Sequence, residues 1–176
     1  METKYSNNIL TKKSVKDSAK YFLTSSQSIR NRCIDEMFRE QPAIVKFMSH
    51  LERAHANEAN KEVIIQLVTI FYRAFKHQNI KFTVIDNEFL IPELGKSREM
   101  KDYFHNRNYN FDGSSFKMFF EDFAQKEILN YTYFAINNQF REYIRSENDA
   151  LFIFYVIKTM AEIFDKSILK ENAWKL

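Results

Sequence analysis

The chain has 176 residues, a formal net charge of +3, and 18 Phe and 9 Tyr against only 2 Gly, 2 Pro and 1 Cys. So few turn formers speak against an all-β fold, and two separated glycines can build neither a dinucleotide fingerprint nor a P-loop. The lone Cys33 excludes an internal disulfide and any multi-cysteine zinc site.

Hydrophobic residues make up 45% and charged residues 28%, the balance of an ordinary soluble globular protein. No repeat and no low-complexity linker interrupts the chain, so one helical domain over 1–176 is expected. The first 25 residues lack the apolar run of a signal peptide. The longest apolar run, "ALFIFYVI" at 150–157, falls far short of the roughly 20 residues that span a bilayer. It reads as buried core, and the cytoplasm is the expected compartment. Charge is uneven. Residues 1–32 hold seven Lys/Arg and two acids, a segment charge of +5 that leaves −2 for the rest. This segment, up to about residue 26, is expected as a basic arm or a short helix.

In chain order, Val15, Ala19 and Phe22 predict an amphipathic helix over 14–23. "TSSQS" at 24–28 is a polar break rich in capping residues. Ile29, Cys33 and Met37, with Ile34 and Phe38 beside them, mark a second helix. Pro42 opens a third, which carries Ile44, Phe47, Met48 and Leu51. Residues 61–78 are apolar around nearly the whole helical circumference, with Gln66, Thr69 and Arg73 as a narrow polar stripe. Such a helix is expected at the centre of the fold. Residues 79–95 suit either a hairpin around Asp86-Asn87 or helical and irregular structure, and the latter is preferred. Ser97 caps a helix reaching about His105, and 106–113 form a loop. One long helix is expected over 115–144. Its aromatic face runs from Phe116, Phe119, Phe120 and Phe123 to Ile128, Tyr131 and Phe134. Ser146 with Asp149 then caps a last helix over 147–170. The fold class is therefore all-α: six or seven helices packed as a bundle around 61–78.

Chemistry is sparse. In "SHLERAHANEANKEV", 49–63, an unbroken helix would align His55, Glu58 and Glu62 on the stripe that continues Leu51. Buried carboxylates and a histidine there would need a metal or a partner. The competing expectation is a helix junction, with Asn57 or Asn60 capping the next helix. Polar clusters commonly mark such junctions, so the break is preferred.

Two acid-x-x-His pairs, Glu52/His55 and Asp102/His105, loosely parallel the ligand pattern of di-metal carboxylate bundles. Arg98 and His105 carry a spacing that resembles the Arg-x(4–6)-His motif of HEPN-type RNases. That resemblance implies His105 as base and Arg98 as phosphate contact. Glu99 departs from the small polar residue expected there. There is no GxSxG nucleophile elbow, and Cys33 sits in an apolar stripe. Lys13, Lys16 and Lys20 share one helical face that could meet phosphate.

The reading that follows is a small non-catalytic cytoplasmic protein acting through protein–protein contacts at aromatic-rich helical faces, a homodimer included. No cofactor is expected. The alternatives are a metal-binding helical enzyme using the 50–62 cluster and a nucleic-acid-binding or RNase-like protein.

Overall fold

The apolar segment at the middle of the chain forms α4, Glu58–His77. Asn57 starts it in an extended conformation, and its side chain accepts the Asn60 N–H. This is standard N-cap chemistry, satisfying a backbone donor that the first turn leaves free. At the far end Asn79 takes φ 57°, and Ile80 N–H reaches back to the Phe75 carbonyl at 3.0 Å. Asparagine fills the left-handed stop position that is commonly taken by glycine. The expected helix junction is therefore present, and of Asn57 and Asn60 it is Asn57 that caps it.

The computed structural model describes residues 8–53, 57–85, 90, 92 and 123–168. Among them are six α-helices: α1 (Lys12–Thr24), α2 (Gln27–Glu40), α3 (Pro42–Arg53), α4, α5 (Lys126–Asn138) and α6 (Glu147–Ser167). A 3-10 turn at Arg141–Tyr143 lies between α5 and α6. No sheet forms among the described residues. Strand character among them is limited to one antiparallel bridge between Phe82 and Ile168. No described helix is long and apolar enough to cross a membrane.

α4 packs against α1, α2, α3 and α6, which makes it the central helix. Val63, Ile64, Leu67, Val68, Phe71 and Phe75 are buried along it. Truncating such side chains typically costs about 2–5 kcal/mol apiece. α1 presents Val15, Ala19 and Phe22 to this core, as its periodicity predicts. α1 therefore belongs to the packed fold and is not a loose arm.

α6 buries Ala150, Leu151 and Ile153–Ile157, so the longest apolar run is core. Phe75, Phe82 and Phe164 meet with ring centroids 5.5–5.8 Å apart. The Phe82 contacts are edge-to-face, the geometry that ring quadrupoles favour.

Thr69, within the narrow polar stripe of α4, is fully buried. Its hydroxyl donates to the Ile65 carbonyl at 2.7 Å, so the helix satisfies the group internally.

One expectation needs correction: the long helix expected over 115–144 is broken. Ala124 and Gln125 form a turn, helical structure begins at Lys126, and it stops at Asn138. At the C-terminal end Asn137 and Asn138 turn their amides back onto the carbonyls of Tyr133 and Phe134, at 2.9 and 2.8 Å. Side-chain donors of this kind compete for the carbonyls of the last turn. Phe134, expected on the aromatic face of that helix, is 50% exposed. The hairpin turn at 86–87, the helix at 97–105, the loop at 106–113 and Phe116–Phe120 lie outside the described residues.

Candidate functional site

Where α3 hands the chain to α4, an open cleft of about 550 Å³ forms against the α1–α2 turn and the 3-10 turn after α5. Its floor is apolar. Phe22 is fully buried, and Ile34 and Ile65 pack partly buried against the same core. Phe140 and Tyr143 close one side, edge-to-face at 6.4 Å. Tyr143 is 45% exposed and stands at the rim.

The rest of the rim is polar and largely self-satisfied. Arg30 donates to Gln27 Oε1 at 2.6 Å. Glu58 pairs with Lys61 one turn on, and Gln66 donates to Glu62 at 3.3 Å. Gln139 accepts the Tyr131 hydroxyl at 2.6 Å. Burial pushes that phenol up to about 12, and the Gln139 bond offsets part of the rise.

The residues singled out in the opening stretch are thus partly located. Glu58 and Glu62 lie on the exposed side of the first turns of α4 and line the cleft. They do not continue the buried stripe of Leu51, because the cap at Asn57 restarts the helix. His55 and the side chain of Glu52 lie outside the described residues, as do Arg98, Asp102 and His105.

His50 is half-buried on α3, with Nδ1 2.8 Å from the Lys46 carbonyl. A carbonyl can only accept, so that nitrogen carries the proton. His77 is exposed in the last turn of α4. Among the described residues no three His, Cys, Asp or Glu side chains gather to hold a metal.

Lys13, Lys16 and Lys20 are exposed on α1, with Lys12 beside them and Asp17 among them. None of the lysines forms an ion pair with a described residue. Cys33 is buried, and its sulfur accepts from Arg73 at 3.2 Å. Arg73 also stacks on the ring of Tyr21, 4.3 Å from its centroid. This arrangement packs α1, α2 and α4 together and leaves the thiol inside.

A second polar centre escaped the sequence reading. Asn60 is 3% exposed and donates to Asp149 at 2.7 Å, joining the N-terminal turns of α4 and α6. Asn57 adds a longer bond to the same carboxylate at 3.3 Å. Asn60 Oδ1 has no hydrogen-bond partner among the described residues. Nothing local in the sequence signals this contact, since its members are 89 residues apart.

Compared with protein-family models, curated proteins and solved structures, the chain matches none of them.

Proposed function

We propose that the chain is a non-catalytic protein that works through protein–protein contacts, and that the cleft at the start of α4 is where a partner docks. The supporting observation is the anatomy of the cleft: an apolar floor ringed by charged and amide side chains, with an exposed tyrosine at its edge. Recognition surfaces between proteins share this arrangement, with a dry centre and a wet rim, and tyrosine is a favoured anchor.

A photo-crosslinking residue placed at Tyr143 tests the reading in the cells that make the protein. The expected result is a discrete protein adduct that is absent when the same residue replaces Lys16. An adduct of twice the chain mass identifies a second copy as the partner. No adduct at Tyr143 removes the reading.

A second reading is favoured by the exposed lysines of α1, which form no ion pair with a described residue. It takes a polyanion such as RNA or DNA along Lys13, Lys16 and Lys20. Mobility shift at two salt concentrations tests it, because phosphate contacts weaken steeply with salt. Binding that is absent, or insensitive to salt, excludes it.

A further inference from the structure

At the opposite end of α4 the chain runs extended through Lys81–Ile85, and among the described residues only one edge of that segment is paired. Thr83 N–H donates to the Ser167 carbonyl at 2.9 Å, beside the antiparallel bridge of Phe82 to Ile168. Gln41, 3% exposed, completes the same edge. Its Nε2 donates to the Thr83 carbonyl at 3.3 Å, and its Oε1 accepts Ile85 N–H at 2.8 Å.

In extended backbone the hydrogen-bonding groups of alternate residues point to opposite sides. Those of Phe82 and Val84 therefore face away from Gln41 and Ser167. Neither residue forms a backbone hydrogen bond with a described residue.

An open groove of about 700 Å³ runs beside this segment. Val84 borders it at 63% exposure, the highest of any large apolar side chain described. Three cations and one carboxylate line it: Arg39 and Glu40 from α2, Lys76 from α4, and Lys81. Lys76 is already neutralised by Glu36 and Glu40, at 2.5 and 2.9 Å. Arg39 and Lys81 form no ion pair with a described residue. A single lysine is a common guard on a strand edge. A second cation, Arg39, comes from another helix, where it also acts on the neighbouring Glu40 carboxylate, and it is not needed for that purpose.

We propose that the Phe82–Val84 edge accepts an added strand from an extended acidic segment of another protein. The backbone groups of Phe82 and Val84 align the incoming strand, and Arg39 and Lys81 select its carboxylates. This surface is separate from the cleft at the start of α4, and neither depends on the other.

The probe is a short fluorescein-labelled peptide of alternating valine and glutamate, titrated against the full chain by anisotropy. Binding should weaken by at least roughly tenfold, the equivalent of about 1.4 kcal/mol, when alternate peptide amides are N-methylated. Val84→Pro, which removes an N–H that the fold does not use, should do the same. Arg39→Glu with Lys81→Glu should also abolish binding, and a lysine-for-glutamate peptide should not bind. Exchange of the Val84 amide should slow when the parent peptide binds, a readout that needs no variant. An N-methylated peptide that binds as well as the parent overturns the proposal by showing charge attraction alone. No binding of the parent peptide to the folded chain also overturns it.

Discussion

Gln125 is fully buried, and its amide is used from both ends. Its Oε1 accepts Leu10 N–H at 3.0 Å, while its Nε2 donates to the Asn8 carbonyl at 3.0 Å and to Asp165 at 2.8 Å. Gln78 holds the adjoining residues in the same way. It accepts from Thr11 N–H and Ser14 Oγ and donates to the Ile9 carbonyl at 2.7 Å. Gln41 does so for Thr83 and Ile85. All three sit at helix ends, where a primary amide can match an extended backbone's alternating donor and acceptor. Gln125→Leu keeps most of the volume but strands Leu10 N–H and the Asn8 carbonyl. The expected loss is about 2–4 kcal/mol, read as a lower urea midpoint with an unchanged slope. Composition gave no hint of this role, because nothing in one sequence separates a clamping glutamine from a solvated one.

Between elements, α2 and α4 are tied by a small polar group. Tyr72 donates to Glu40, and Lys76 bridges Glu36 and Glu40. The Tyr72 hydroxyl bond is the largest cause that holds the Glu40 carboxyl below its ordinary value of 4.5, with Lys76 adding to it. A depressed carboxylate contributes stability above pH 4.5 and loses it as pH falls through the lower folded value. Glu40 is 42% exposed at its side chain, so solvent screening limits the contribution to under about 1 kcal/mol. Glu40→Gln should therefore lower the urea midpoint slightly at neutral pH, and the gap to the parent should close in acid. A gap that persists at low pH would contradict this tie.

The helix boundaries show what was legible at this scale. α1 to α4 follow apolar periodicity, Pro42 and an asparagine cap, all of which are local signals. The break before α5 was not legible, because the turn at Ala124–Gln125 lets Gln125 reach residues far away in the chain.

For the molecule as a whole, core and surface positions should separate sharply. Phe75 has no exposure and Phe134 has 50%. Phe75→Ala should cost about 3–5 kcal/mol, whereas Phe134→Ala should stay within roughly 0.5 kcal/mol. Chemical denaturation of both variants checks the contrast. The buried phenols set the alkaline limit. Burial pushes Tyr131 up to about 12, and raises Tyr72 and Tyr155 further. A raised folded value keeps its stabilisation below the ordinary value of 10 and loses it as pH climbs from there toward 12. Phenolate absorbance from these tyrosines should therefore appear together with loss of helical circular dichroism, and not before it.

An all-α class, a central helix near 61–78, a helix junction capped at Asn57 or Asn60 and a buried 150–157 run could all be read from residue order. Each depends on periodicity or on neighbours within a few positions, and helices are built from such short-range terms. The cleft, the half-paired segment at 81–85, the Asn60–Asp149 contact and the glutamine clamps could not. They join side chains brought together from distant parts of the chain, and only the packing of the helices decided which of them meet.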